Sequence, residues 1–121
     1  YQTAILSFLV KNVYSIEIVD ELAAKASNCL KQLDIFNVHI KNGDGFAGWR
    51  EESPFDSIIV TCAPEDLPLA LLDQLKEGGR VIIPVGSREH QQLYLIEKKN
   101  GQMRQKAVLP VRFVPMVSRR Q

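Results

Sequence analysis

Residues 54–64 read PFDSIIVTCAP, and this stretch decides the fold. Ile58, Ile59 and Val60 run together without polar alternation, as expected of a strand covered on both faces. Ser57 to Thr61 is therefore expected as a strand of a largely parallel sheet, ending in Thr61-Cys62-Ala63-Pro64. Upstream, Gly43-Asp44-Gly45 sets an acid between two glycines, and Trp49 follows. In an open α/β sheet such loops sit at the carboxyl ends of strands, where ligands bind. Glu17, at the end of the VYSIE stretch, is a second acid in the same kind of place. Acids on neighbouring strand ends can hold the polar parts of a nucleoside. One would take ribose hydroxyls and the other the exocyclic amine of a base.

Working outward, Tyr1 to Val10 reads as most of a helix, apolar nearly all round, with Lys11 and Asn12 ending it. Val13 to Glu17 is a short strand. Val19, Leu22, Ala23, Ala26, Leu30 and Leu33 then recur at helical spacing, with Asp20 and Glu21 in a first turn that suits negative charge. Asn37 to Ile40 is another strand, closed by Asn42-Gly43. Beyond Pro64, Pro68 to Lys76 reads as a helix stopped by Gly78-Gly79, and Arg80 to Val85 as a second covered strand. Gln92 to Glu97 and Gln105 to Val114 flank Asn100-Gly101, a hairpin turn signal. The order gives an α/β, doubly wound, mostly parallel sheet with a C-terminal antiparallel hairpin. Such a sheet normally opens with a strand and a glycine-rich turn before its first helix. The apolar first helix therefore implies an upstream strand beside it, and the chain is expected to be truncated at the N-terminus.

The bulk numbers exclude several classes. A length of 121 residues fits one domain, residues 1–121. A net charge of +1 gives no chain-wide field for nucleic acid. The two cysteines, Cys29 and Cys62, form neither a disulfide framework nor a zinc pattern and read as reduced thiols of a cytoplasmic protein. No apolar run reaches the roughly 20 residues of a membrane span. His39 and His90 have no partner at metal-ligand spacing, so no metal is expected.

Each candidate residue also has a plainer reading. Glu17 fits a ribose-diol acid or a solvated loop acid. Asp44 fits an adenine-amine acceptor or ordinary turn chemistry. Thr61 to Pro64 fits a ligand-facing loop at a sheet switch point or a simple strand-to-helix connection. Trp49 fits a pocket wall or a packing anchor. Cys62 has no visible base and reads as a small buried thiol. Arg112 fits an anion contact or a surface ion pair, and Arg119 and Arg120 a solvated basic end.

Taken together, YQTA at 1–4, YSIE at 14–17, GDG at 43–45, PFDSIIVTCAP at 54–64, LLDQLKEGGRVIIPVG at 71–86, QQLYLIEK at 91–98 and VRFVPMV at 111–117 resemble the protein-L-isoaspartate O-methyltransferase family. The likeness runs in order over nearly the whole sequence. GDG alone is common; the set with EGGRVIIPVG, QQLYLIEK and RFVPMV is specific.

The resemblance implies a Rossmann-like class I methyltransferase fold that uses S-adenosylmethionine and releases S-adenosylhomocysteine. Its acceptor would be the α-carboxylate of L-isoaspartyl residues in damaged proteins and peptides. The ester would collapse to a succinimide that reopens partly to aspartate. By resemblance, Glu17 is the ribose-diol acid, Asp44 and Gly45 line the adenine pocket, and Thr61 lies near the methyl group. Ala63, Pro64, Val114, Pro115 and Met116 fall in the parts that meet the isoaspartyl substrate. The implied enzyme is a cytoplasmic monomer with no metal, nucleic-acid or membrane partner. The family's glycine-rich loop, the acid-ended strand before it and the region of its active-site serine or threonine are expected upstream of Tyr1. No catalytic hydroxyl is therefore assigned, and the isolated segment is expected to bind cofactor poorly and turn over negligibly. The alternatives are a class I methyltransferase with another acceptor and a non-catalytic module that has lost its cofactor site.

Overall fold

Strand β1, Val13–Glu17, lies parallel to β2, Val38–Asn42, in register from Val13 opposite Val38 to Glu17 opposite Asn42. The computed structural model describes residues 2–87 and 89–116. Tyr1, Arg119 and Arg120 lie outside the described residues. Two compact units emerge, dividing between Gly45 and Phe46.

In the first unit, α1 spans Gln2–Ser7, shorter than the helix expected to Val10. The side-chain amide of Asn37 explains its stop. Nδ2 donates at 2.7 Å to the carbonyl of Ser7, a group that the helix end leaves open, and lies 3.2 Å from the carbonyls of Val10 and Lys11 in the segment that follows. Helix α2, Asp20–Gln32, begins where expected, with Asp20 and Glu21 in its first turn. Ala23 and Leu30, two turns apart on one face, are buried with Val13 of β1, whereas Leu22 and Leu33 are exposed. Tyr14 and His39, cross-strand partners in the parallel register, stack at 4.9 Å between ring centroids. His39 thus serves sheet packing.

The second unit is a four-stranded sheet with its strands in sequence order: β3 Phe55–Ile59, β4 Leu75–Gly86, β5 Gln91–Lys99 and β6 Gln102–Val111. The β3–β4 pair is parallel, and the β4–β5 and β5–β6 pairs are antiparallel, which includes the expected terminal hairpin. Leu72, Leu75, Val81, Ile83 and Ile96 form the buried core, with Ile58, Val60 and Tyr94 packed against it.

Three details depart from the sequence reading. β3 is not covered on both faces: Ile59 is 46% exposed, and among the described strands β3 pairs only with β4. Helix α3 is only Leu69–Asp73, and Gly78-Gly79 does not cap it. Instead, the pair lies inside β4, at a bulge where Phe55 pairs with Leu75 but Ser57 already pairs with Arg80. Gly78 takes φ of 83° there, a left-handed value that lets the extra residues loop out. Finally, β6 ends at Val111, so Arg112 lies just past the strand and is exposed.

Gly78→Ala is expected to destabilise the fold by about 1 kcal/mol through that backbone angle alone. An added Cβ meets nothing within 4 Å, so steric crowding contributes nothing further. Urea unfolding of the variant checks the value.

Candidate active site

In the first unit the geometry starts from a strand end. Glu17 closes β1, half-buried, directly opposite Asn42 at the end of β2. The Gly43 N–H donates to the Glu17 carbonyl at 3.0 Å, so the Gly43-Asp44-Gly45 turn begins against the backbone of Glu17. Both acids therefore sit at the carboxyl edge of the same parallel pair, where ligand crevices form in α/β proteins. Glu17 Oε1 accepts the Val19 N–H at 3.3 Å. An ionised carboxylate has about four acceptor positions, so capacity for a vicinal diol remains. Asn42 Nδ2 donates to Asp20 Oδ1, tying the end of β2 to the start of α2. Asp44 and Gly45 are half-buried, and Gly45 opens a short 3-10 turn to Ala47.

In the second unit, Thr61 and Cys62 follow β3, with Thr61 exposed. Ala63 is 3% exposed and is held on both backbone groups. Its N–H donates to Val114 O at 2.7 Å, and its carbonyl accepts the Met116 N–H at 3.0 Å. Ala63 and Pro115 thus form an isolated parallel bridge. Pro64 is fully buried, and its carbonyl accepts the Gly86 N–H at 3.0 Å. Ala63, Pro64, Val114, Pro115 and Met116, expected near the substrate, are therefore brought together although they are about fifty residues apart.

A residue the sequence reading did not single out holds this arrangement. Gln91, at the start of β5, is 5% exposed. Its Nε2 donates to Phe113 O at 3.1 Å, and its Oε1 accepts the Phe113 N–H at 2.7 Å. The amide reproduces a strand's hydrogen bonding and fixes the backbone one residue before Val114. Gln74 plays a parallel part at the 47–49 loop. Its Oε1 accepts the Trp49 N–H at 2.8 Å, and its Nε2 donates to Ala47 O at 2.9 Å. Trp49 is thereby anchored through its backbone, half-buried. The available signal for both residues was a glutamine within a stretch that carries apolar residues, in LLDQL and QQLYLI.

Beside the Ala63–Pro115 bridge lies a cavity of about 470 Å³. Ala63, Leu67, Pro68, Pro115 and Met116 give it an apolar wall, and Glu65, Asp66 and Gln91 supply polar groups. Among the described residues no group of His, Cys, Asp and Glu side chains could hold a metal ion, and no helix is long and apolar enough to cross a membrane.

These features define an α/β protein of the Rossmann-like class I methyltransferase kind, and solved structures share the fold. The chain belongs to the family described as Protein-L-isoaspartate(D-aspartate) O-methyltransferase (PCMT), which matches residues 1–121. It is 54% identical over 118 residues to the protein-L-isoaspartate O-methyltransferase of Vibrio campbellii, covering 98% of this chain and 56% of the relative. It is 52% identical over 118 residues to protein-L-isoaspartate O-methyltransferase 2 of Syntrophobacter fumaroxidans, covering 96% of this chain and 48% of that protein. A solved protein-L-isoaspartate O-methyltransferase superposes with a TM-score of 0.90 at 34% identity, over 97% of this chain and 38% of its own. A putative protein-L-isoaspartate O-methyltransferase from Plasmodium falciparum, solved in complex with S-adenosyl-L-homocysteine, gives 0.76 at 31% identity, over 88% of this chain and 52% of its own. The chain spans about half the length of the curated relatives it matches.

Proposed function

We propose that the protein to which this chain belongs is a repair enzyme. It transfers a methyl group from S-adenosylmethionine to the α-carboxylate of L-isoaspartyl residues in damaged proteins. The observation that carries this reading is membership of the isoaspartate methyltransferase family across all 121 residues. The strand-end acids and the Ala63–Pro115 bridge support it.

Bound S-adenosylmethionine would supply a methyl group already activated on a sulfonium. Glu17 would accept the ribose hydroxyls with the acceptor positions that Val19 leaves open. Asp44 would accept the adenine amine, and Gly45 would border the same ring. Thr61 would lie toward the cofactor's reacting end. Ala63, Pro64, Val114, Pro115 and Met116 would seat the isoaspartyl peptide. The acceptor carboxylate is itself the nucleophile, so these residues need only hold it in line with the methyl carbon. An apolar wall of Ala63, Pro115 and Met116 would exclude water and strengthen charge pairing at the reacting centre.

The product follows from the bonds exchanged. With S-adenosylmethionine bound, transfer would join the carboxylate oxygen to the methyl carbon as the carbon–sulfur bond breaks, and the thioether would leave neutral. The resulting ester would carry a better leaving group than the free carboxylate: the neighbouring backbone nitrogen would attack its carbonyl carbon, methanol would leave, and water would open the succinimide partly to aspartate. The reading includes a cytoplasmic, monomeric enzyme that needs no metal, and residues 1–121 as parts of one methyltransferase domain.

The intact protein, given radiolabelled S-adenosylmethionine and an isoaspartyl peptide, should place a base-labile label on the peptide, released as methanol. A base-stable label would reveal transfer to nitrogen or another acceptor. Absence of both label and cofactor binding would indicate a module without catalysis.

A further inference from the structure

The β5–β6 hairpin turns on Asn100-Gly101, with Lys99 paired to Gln102 on either side. Both turn residues have positive φ, 54° at Asn100 and 74° at Gly101, as in a two-residue type I′ turn. Both are exposed at the tip. An asparagine followed by glycine is the pairing most open to intramolecular imide formation, because glycine places no side chain over the attacking nitrogen. One carboxylate intervenes here. Glu77, on the β4 bulge, accepts the Asn100 N–H through Oε1 and the Gly101 N–H through Oε2, the latter at 3.1 Å.

We propose that Asn100 is a deamidation site of this protein and that Glu77 is the residue that guards it. In the reaction the Gly101 nitrogen loses its proton and attacks Asn100 Cγ. The bond from Cγ to the amide nitrogen Nδ2 breaks and ammonia leaves. Water then opens the five-membered imide at either carbonyl, giving aspartate or isoaspartate. The balance is one water taken up and one ammonia released, with no other reactant.

Glu77 opposes this in two ways. Its hydrogen bonds hold the turn near type I′ geometry, whose ideal ψ at the first central residue is about +30°, and ring closure requires rotation away from it. Its negative charge also disfavours ionisation of the amide nitrogen it contacts. A carboxylate is too weak a base to remove that proton itself. Deamidation must therefore wait for local opening of the hairpin tip, and Glu77 sets how rarely that happens. Neither step depends on what the protein catalyses.

The test compares the intact protein with its Glu77→Gln and Glu77→Ala variants, aged at neutral pH and analysed for isoaspartate at residue 100 by peptide mapping. Losing charge-assisted hydrogen bonds to both amides should raise the native-state rate about tenfold. Urea-unfolded samples should all deamidate at one rate, since the guard acts only in the fold. Equal native rates in folded variants would overturn the proposal, as would isoaspartate accumulating elsewhere but not at residue 100. Should the variants not fold, hydrogen exchange on the unaltered protein decides. The Gly101 amide should exchange at least about tenfold slower than in an unstructured peptide, and unprotected exchange would overturn the guard.

Discussion

Replacing Glu17 with Ala in the intact protein is expected to weaken S-adenosylmethionine binding about a hundredfold. A carboxylate accepting two ribose hydroxyls makes charge-assisted bonds, each worth about 1.5–3 kcal/mol, and every 1.4 kcal/mol is about tenfold in affinity. The structural cost of the change is small. The hydrogen bond that the Glu17 side chain accepts from the Val19 N–H is exposed, and water can replace it. Calorimetric titration with S-adenosylhomocysteine separates the effects, since unfolding should stay within about 0.5 kcal/mol of the unaltered protein. An affinity change below about threefold would return Glu17 to the role of a solvated loop acid.

Replacing Gln91 with Ala should do the reverse, costing stability first. The side chain is nearly buried and satisfies both backbone groups of Phe113. Removing it strands a donor and an acceptor, at about 1–3 kcal/mol each, so a loss of about 3 kcal/mol is expected in urea unfolding. The same change frees the backbone one residue before the Val114 and Met116 contacts to Ala63. For the intact enzyme the KM for an isoaspartyl peptide should rise about tenfold, with a smaller fall in kcat. Gln91→Glu is a useful companion. A carboxylate can still accept the Phe113 N–H but has no proton for the Phe113 carbonyl, so most of the loss should persist. A loss below about 1 kcal/mol for Ala would show that water substitutes readily for the amide.

Local patterns carried much of this fold. Val13–Glu17 was legible as a short strand set between the polar Lys11-Asn12 stop and the helix that Asp20 opens. Asp20 and Glu21 marked the start of α2 by charge, and Asn100-Gly101 marked the hairpin by backbone freedom. The failures share a cause. Gly78-Gly79 follows a helix and can be read as its stop, yet the pair forms a bulge inside β4. Only the pairing with Phe55 and Ser57 distinguishes the two, and that pairing is tertiary. The end of α1 is likewise tied by Asn37, which reaches the Ser7 carbonyl from 30 positions away.

The candidate site was legible to a different depth. Glu17 and Asp44 could be named because acids at strand ends follow from topology. The clustering of Ala63 and Pro64 with Val114, Pro115 and Met116 came from family resemblance, since no spacing rule links residues so far apart. Gln91 and Gln74 escaped altogether. A glutamine's value lies in the partners its amide finds, and neither Phe113 nor the 47–49 loop lies near them in sequence.

The most direct measurement is methyl transfer by the intact protein to an isoaspartyl peptide, run beside the same peptide carrying ordinary aspartate. Repair activity predicts that the isoaspartyl peptide alone is labelled and that Glu17→Ala sharply reduces the labelling at low cofactor concentration. Equal labelling of both peptides, or of neither while S-adenosylmethionine still binds, would contradict it and assign the fold to a different acceptor.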